Sequence, residues 1–450
     1  MLNKELSYKI FRVAWIVFLV ANVVEFNAPA DIDLIPFLHI SEIPFIKYIL
    51  VIGFALLIIP AREYLSIFSK KNQLFILALL FLLLGTAIIS SYYSSYPDTA
   101  FRVTGRISFY LMILIITLSA VSYFNNASNF IIKSFIYVSS FVIAGSLLDF
   151  FMPGFHQILV NHFDRPGIMH SYMKIGNEIV MRPMGFVTDA NLAAFVVASG
   201  LMLLLLNSRS FNKIFRFSYY ILGSFAFGML TSRIALAMCV ISVLVFFILK
   251  AVERKELILF CIVFIIFQAV TPQTYSRIVS LFDKEKMEEE LTVGRPVIWS
   301  SAYRLFTEHP EIGAGPGVFF EYSKDYVSDI LSSTDGVNIT DPDKPNYHKV
   351  DNMNPHNIFL VMLSEIGIFG FSIFILLLIY LLKSYIRKKL YLSALFLGNI
   401  VLISAFSNFA PYYKLYLVVA IVFFIASGKD MRLIYFKSLN VRTNEKNTDI

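Results

Sequence analysis

The sequence has 450 residues, of which 57% are hydrophobic and only 15% are charged. This composition excludes a water-soluble enzyme and a disordered chain, because either would need far more polar surface. The formal net charge of +7 does not indicate a nucleic-acid partner, since the cations lie in short clusters between long apolar runs. The sequence therefore predicts an all-α polytopic membrane protein.

Twelve apolar runs predict membrane-spanning helices, since about 20 helical residues cross a hydrocarbon core of about 30 Å. In chain order the predicted spans are 10–25, 43–60, 73–91, 105–124, 130–151, 187–206, 215–231, 233–250, 256–272, 356–382, 390–406 and 411–428. The run from Phe217 to Leu249 is too long for one helix, so we divide it at Thr231-Ser232-Arg233. The whole chain, 1–450, is then a single integral membrane domain.

The distribution of Lys and Arg predicts the orientation of these spans. If the N-terminus is cytoplasmic, the cytoplasmic segments hold 22 of the 38 Lys and Arg, the short outer loops hold 8 and the long outer loop holds 8. Because cations favour the cytoplasmic side, both termini are predicted to be cytoplasmic, including the tail 429–450. The loops 152–186 and 273–355 then lie outside. In one alternative, residues 1–30 are a cleaved signal peptide.

Any catalysis is expected on the outer face, because each cytoplasmic connection is short and lacks Asp-x-Asp and P-loop motifs. The long outer loop contains four kinds of segment: a charge run at 283–290, a predicted amphipathic helix at 294–309, a glycine-rich tight turn at 311–318 and an irregular segment at 328–354. The charge run is expected to be a solvated helix face.

The predicted helix 294–309 has a cation at its head and aromatic residues along one face. Arg295, Trp299, Tyr303 and Phe306 recur at helical spacing, and Pro310 follows as a stop signal. Two interpretations stay open. The helix lies on the bilayer surface, or it binds an anion beside a lipid headgroup.

His356 stands at the start of the tenth predicted span, and its ordinary pKa makes it a natural proton acceptor near neutral pH. A hydrogen-bonded structural histidine is the alternative. Glu365 follows nine residues later, on the opposite side of a continuous helix, so we expect a buried polar contact there rather than an interaction with His356.

Three arginines at the predicted outer surface could hold phosphate groups, because a guanidinium binds a diphosphate bidentately and does not titrate. They are Arg233, Arg295 and Arg182. The alternative role for Arg233 and Arg295 is that of an interfacial anchor. Asn191, close after Arg182 in the chain, is expected to cap the sixth span together with Asp189.

These motifs resemble the O-antigen ligase and polymerase superfamily of bacterial membrane glycosyltransferases. The segments that carry the resemblance are Arg182-Pro-Met-Gly-Phe followed by Asp189-Ala-Asn191, Thr231-Ser-Arg233, Gly294-Arg295 with Trp299, Pro310 to Gly317, and Pro355-His356-Asn357 followed by Glu365-Ile-Gly367. Together they cover roughly residues 180 to 370.

The resemblance implies an all-helical enzyme that uses undecaprenyl-diphosphate-linked glycan donors at the periplasmic face of the bacterial inner membrane, without a metal or other cofactor. His356 would be the catalytic base, and Arg233, Arg295 and Arg182 would bind the diphosphate. Further expected substrate contacts are Arg165, Arg304, Trp299 and Asn357.

The superfamily contains polymerases, which join lipid-linked repeat units, and ligases, which transfer glycan to a lipid A core or to protein. Some O-antigen polymerases resemble one another in having an Arg followed eleven residues later by Gly in both large outer loops. Arg165 with Gly176 and Arg304 with Gly315 fit that pattern. This favours a polymerase, and the resemblance then implies a glycan acceptor and a chain-length regulator protein as partners. A lipid-linked glycan transporter is a lower alternative, since charges gather at the outer face rather than at mid-membrane.

Overall fold

The computed structural model describes residues 3–23, 59, 71–152, 155, 172–175, 178–183, 185–187, 190–272, 274, 295–332, 355, 357–388 and 390–406. In chain order these residues form α1 (Lys4–Val23), α2 (Lys71–Tyr92), α3 (Pro97–Tyr123), α4 (Ala127–Phe151), β1 (Tyr172–Ile175), β2 (Glu178–Met181), α5 (Ala190–Leu206), a 3-10 turn (Ser208–Ser210), α6 (Lys213–Leu230), α7 (Arg233–Leu249), α8 (Arg254–Val270), α9 (Arg295–Glu308), α10 (Phe319–Ser332), α11 (Ile358–Arg387) and α12 (Tyr391–Phe406).

The helices follow the predicted apolar runs closely, so the prediction of a helical, multi-pass membrane protein is confirmed. Four helices in the described part of the chain are long and apolar enough to cross a membrane, namely α2 from Leu74, α3, α4 and α11. Helices α5, α7 and α12 are apolar but shorter. The predicted spans 43–60 and 411–428 lie outside the described residues apart from Ile59, so a total of twelve spans stays a prediction.

The core is built around α5, a helix that is apolar on all sides. All its side chains from Leu192 to Leu206 are buried, and it packs against α4, α6 and α7. A helix without a polar face needs neighbours on every side. Helix α1 joins this core through α4, where the Trp15 indole donates a hydrogen bond of 3.1 Å to the Ser134 hydroxyl.

Helix α11 connects the core to the helices of the long outer loop. It packs against α2 and α12, and α12 in turn packs against α7 of the core. Helix α11 also packs against α9 and α10, and these two helices pack against each other. Helix α11 therefore positions α9 and α10 relative to the membrane-spanning helices, and α3 adds a contact to α10 through the 3.3 Å hydrogen bond from Thr99 to Glu321.

The segment 152–186, predicted as an outer loop, contains a short antiparallel hairpin, so the all-α prediction was incomplete here. Strand β1 pairs with β2 so that Tyr172 lies opposite Met181 and Ile175 lies opposite Glu178. The sequence between the strands, Gly176-Asn177, is a two-residue turn signal typical of hairpins. The strands were missed because each has only four residues.

A substitution at Gly200 tests the close packing around α5. A Cβ at Gly200 would overlap the hydroxyls of Ser139 and Tyr219, which are hydrogen-bonded to each other across α4 and α6. We expect Gly200→Ala to lower the free energy of unfolding by about 1–3 kcal/mol through overpacking. Thermal unfolding of the detergent-solubilised protein, followed by circular dichroism, measures the change.

Gly105→Ala is the matched control, because a Cβ there meets no atom within 4 Å of the described structure. Since alanine is favoured over glycine inside a helix by about 0.5–1 kcal/mol, this variant should match or exceed the wild-type melting temperature. Equal destabilisation by both substitutions would contradict the packing argument.

Candidate active site

Arg233 lies at the turn that joins the end of α6 to the start of α7. Helix α6 ends at Leu230, Thr231 takes a left-handed conformation with φ of 51°, and the Ser232 hydroxyl caps α7 by accepting a 3.4 Å hydrogen bond from the Ala235 amide. Arg233 is the first residue of α7. The division of the long apolar run at Thr231-Ser232-Arg233 is confirmed.

Arg182 holds this turn from the neighbouring segment. Its Nε donates to the Leu230 carbonyl at 3.1 Å, and its Nη2 donates to the same carbonyl and to the Asn191 amide oxygen, the latter at 3.2 Å. The side chain is only 5% exposed. Because the last carbonyls of a helix lack intrahelical partners and carry partial negative charge, a buried guanidinium suits this position.

Asn191 lies inside the first turn of α5 rather than at its cap. The prediction that Asn191 caps this helix was therefore wrong. Its amide oxygen accepts a hydrogen bond from Arg182 instead. Asp189, the other residue expected to cap this span, lies outside the described residues.

A cavity of about 360 Å³ opens beside the turn. Thr231, Ser232, Arg233, Gln268 and Thr274 contribute its polar lining, and the remaining wall comes from apolar side chains, most of them on α7. The Thr274 hydroxyl donates to the Gly228 carbonyl at 2.9 Å, which fixes the chain after α8 against α6. A helix N-terminus and an arginine together make one end of this cavity electropositive.

Helix α9 begins at Arg295, as predicted, and the face that it buries in the protein is aliphatic rather than aromatic. Val297, Ile298, Ala302 and Leu305 are buried, whereas Tyr303 is 58% exposed. Burial follows the small and aliphatic residues because α9 packs against both α10 and α11. The side chain of Arg295 lies outside the described residues.

Trp299 ties α9 to the mouth of α11. Its indole Nε1 donates a 2.8 Å hydrogen bond to the Pro355 carbonyl, and Pro355 directly precedes His356 in the sequence. The structure thus places Trp299 in contact with the residue that directly precedes the predicted base. His356 itself and Arg165 lie outside the described residues.

Asn357, an expected substrate contact, caps α11. Its side-chain oxygen accepts hydrogen bonds from the Phe359 amide at 3.0 Å and the Leu360 amide at 3.3 Å. Such a cap satisfies amides that the first turn of the helix leaves without partners. The segment that contains His356 is consequently anchored on one side by Asn357 and on the other by the contact of Trp299 with Pro355.

Arg304 lies in a surface network that links α9 to α10. Its Nη1 donates to Asp329 at 3.0 Å, its Nε donates to Glu308 at 3.2 Å, and its guanidinium lies 4.6 Å from the centre of the Tyr326 ring. The hydrogen bond to Asp329 contributes most to raising the pKa of Arg304. Burial, followed by the hydrogen bond to Glu308, raises the pKa of Tyr326. These contacts indicate that Arg304 holds the two helices together.

The glycine-rich turn docks against a break in α11, and we name this contact, between residues 310–319 and 364–369, the clasp. The Ala314 amide donates to the Ser364 carbonyl, the Gly315 amide donates to the Glu365 carbonyl and the Ile368 amide donates to the Pro310 carbonyl, each at 2.9 Å. The predicted tight turn at 311–318 is confirmed. The helical residues 328–332 of α10, however, replace the start of the segment predicted as irregular.

Glu365 contributes its side chain to the clasp. Its carboxylate accepts from the Gly317 amide at 2.8 Å and from the Phe319 amide at 3.4 Å, and the residue is 2% exposed. The buried polar contact expected for Glu365 is confirmed. The helix is not continuous beyond it, because Gly367 has φ of 69° and ψ of −174°. Sequence reasoning missed this break, although Gly367 marked the position.

A comparison with protein-family models agrees with the motifs. Residues 218–375 match the model described as O-antigen ligase, and this segment contains Arg233, Trp299, the clasp and the start of α11. The match confirms the resemblance to the O-antigen ligase and polymerase superfamily. No match was found among curated proteins.

Gly367→Ala tests whether the clasp requires the break in α11. A Cβ at Gly367 would overlap the Glu311 backbone, and its backbone region costs an L-residue about 1–3 kcal/mol. We expect a loss of more than about 2 kcal/mol in the free energy of unfolding, measured by thermal unfolding in detergent. Gly398→Ala on α12 is the control, since a Cβ there meets nothing within 4 Å of the described atoms. A Gly367→Ala protein as stable as the control would show that the break is dispensable.

Proposed function

From the O-antigen ligase region that this chain carries, we propose that the protein is a membrane glycosyltransferase that polymerises undecaprenyl-diphosphate-linked oligosaccharide repeat units at the periplasmic face of the bacterial inner membrane. The observation that carries the proposal is the turn at Leu230–Arg233. There a cation, a helix N-terminus and a cavity meet at one end of two apolar helices. This combination suits the diphosphate of a lipid-linked donor.

In the proposed reaction, His356 removes the proton from a hydroxyl of the acceptor glycan. The hydroxyl oxygen forms a bond to C1 of the donor sugar while the bond from C1 to the diphosphate oxygen breaks, with inversion at C1. Undecaprenyl diphosphate leaves with the bonding electron pair. A general base supplies about 10²–10⁴-fold of rate acceleration in such steps.

Arg233 and Arg295 stabilise the negative charge that develops on the leaving diphosphate. Arg233 is favoured for this role because it lines the cavity, and Arg295 because it heads α9. Arg182 supports the same site indirectly, through the backbone of the turn. Its guanidinium is committed to the Leu230 carbonyl and to Asn191, so it orients the turn that carries Arg233.

A polymerase is preferred to a ligase on the spacing of Arg165 with Gly176 and of Arg304 with Gly315. The structure adds a physical meaning to the second pair. Arg304 joins α9 to α10, and Gly315 donates its amide to α11 within the clasp, so both residues fix the position of the same outer-loop helices. Transfer of finished glycan to a lipid A core or to protein is the alternative.

Activity assays of purified variants test the assigned roles. We expect Arg233→Ala to lower kcat/KM for lipid-linked repeat units by about 10²–10³-fold, as removal of a leaving-group donor does. Arg233→Lys should recover only part of the activity, because an ammonium cannot bind a diphosphate bidentately. His356→Ala should lose elongation while its melting temperature stays near that of wild type.

Arg209→Ala is the matched control for removal of an arginine. Arg209 pairs with Glu253 at 2.6 Å on an exposed surface, and exposed pairs contribute about 0–1 kcal/mol to stability, so its activity should equal that of wild type. Full activity of His356→Ala or Arg233→Ala would remove that residue from the mechanism.

The acceptor requirement separates polymerase from ligase. A polymerase converts lipid-linked repeat units alone into a ladder of longer lipid-linked chains, which gel electrophoresis and mass spectrometry resolve. A ligase leaves the same donor untouched until lipid A core or an acceptor protein is supplied. We expect the ladder without added acceptor, and strict dependence on lipid A core would contradict the proposed polymerase.

A further inference from the structure

Glu365 is an acidic residue buried in a membrane-spanning helix, which is an expensive position unless its charge or its polar atoms are satisfied. It lies eight residues beyond Asn357 on α11, about 12 Å further along a helix that rises about 1.5 Å per residue. Its carboxylate is 2% exposed and accepts hydrogen bonds from two backbone amides. Its surroundings are therefore protein backbone, not solvent.

Those two amides belong to the start of α10. Phe319 is the first residue of α10 and Gly317 lies two residues before it. The first amides of a helix have no intrahelical acceptors and carry partial positive charge. The carboxylate of a membrane-spanning helix thus acts as the cap of a helix in the outer loop.

The backbone around Glu365 reinforces this attachment. The Ser90 hydroxyl of α2 donates to the Glu365 carbonyl at 2.8 Å, and the Gly315 amide donates to the same carbonyl at 2.9 Å. Three elements, α2, α11 and the glycine-rich turn, therefore meet at one residue.

Helices α9 and α10 are held to each other, so the start of α10 contributes to the position of α9, which also packs directly against α11. Ile298, Ala302 and Leu305 of α9 share an apolar cluster with Phe319 and Tyr326 of α10. The ion pair between Arg304 and Asp329 joins them at the surface. Fixing the start of α10 consequently helps to fix the helix that carries Arg295 and Trp299.

We propose that Glu365 is a positioning residue for glycosyl transfer, which holds the α9–α10 pair so that the start of α9 and Trp299 stay at the mouth of α11. This proposal rests on the proposed function for its catalytic consequence. Both carboxylate oxygens are bonded to backbone amides, so Glu365 acts through α9 and not on the substrate. The hydrogen bond from Trp299 to Pro355 and the direct packing of α9 against α11 are further attachments of the same pair.

Tryptophan fluorescence measures this positioning without any substrate. The chain has two tryptophans, Trp15 and Trp299, so a Trp15→Phe background leaves Trp299 as the sole emitter. In this background Glu365→Gln can accept only one of the two amide hydrogens and presents its own NH₂ to the other. We expect emission at longer wavelength and about twofold stronger quenching by iodide, because an unsatisfied buried amide loosens the junction.

The same variant gives a kinetic signature on lipid-linked repeat units. We expect kcat to fall by about tenfold while KM changes less than about threefold, because the displaced groups stabilise charge that develops in the transition state. Asp325→Asn is the matched control. It makes the same change of charge on an exposed residue further along α10 and should alter neither Trp299 emission nor kcat.

If the Glu365→Ala protein folds, its Trp299 emission should shift further than that of Glu365→Gln. If the Glu365→Ala protein does not fold, Glu365→Gln still provides the test. Unchanged emission and quenching in folded Glu365→Gln would overturn the proposal, even with reduced kcat, because Glu365 would then not act through α9. A shifted emission in a protein whose wild type leaves lipid-linked glycans unchanged would overturn the proposed function and support the positioning of Trp299 by Glu365.

Discussion

A membrane-spanning helix that breaks leaves amide and carbonyl groups without partners, and no water is available in lipid to replace them. In α11 the break comes at Gly367, and the glycine-rich turn supplies the missing partners through backbone hydrogen bonds on both sides of it. The break thereby provides a fixed attachment for the glycine-rich turn that precedes α10. These hydrogen bonds contribute to the placement of α10 and of α9, which packs against it.

The end of α6 follows the same rule with a different partner. Its last carbonyl, that of Leu230, accepts hydrogen bonds from the buried guanidinium of Arg182. The chain can then reverse through Thr231 in a left-handed conformation and start α7 at Arg233. At the break in α11 the partners are backbone groups, whereas at the end of α6 the partner is a charged side chain. Arg182 thereby fixes the turn that carries Arg233.

The sequence predicted the helices well because hydropathy acts locally. The span predicted at 73–91 is observed at Lys71–Tyr92, and the one at 233–250 is observed at Arg233–Leu249. The clasp could not be predicted in the same way. Its partners are about 50 residues apart in the chain, and neither a glycine-rich turn nor a glycine within an apolar run indicates its partner. The individual motifs were visible, but their pairing is a tertiary property.

The candidate site residues show the same difference between local signals and tertiary contacts. Sequence reasoning placed Arg233 at a turn and Arg295 at a helix start, because caps and charge interruptions are local signals. It could not tell that Arg182 and Asn357 use their donors and acceptors on the backbone. That distinction depends on which carbonyls and amides lie within about 3 Å of each side chain. For an arginine at a membrane surface, the sequence shows the charge and the fold decides its partner.

An enzyme that joins bulky glycans must hold its leaving-group cations and its base in one geometry while it admits acceptors of variable shape. Catalysis that depends on orientation is lost when the catalytic groups are displaced by about 1 Å. In this protein Trp299 and the start of α9 are fixed by the clasp, by Asn357 at the cap of α11 and by the bond from Trp299 to Pro355. These attachments lie on α9 and α11 and on the residues that directly precede α10 and α11. Short contacts between neighbouring elements therefore position the groups proposed to act on the donor.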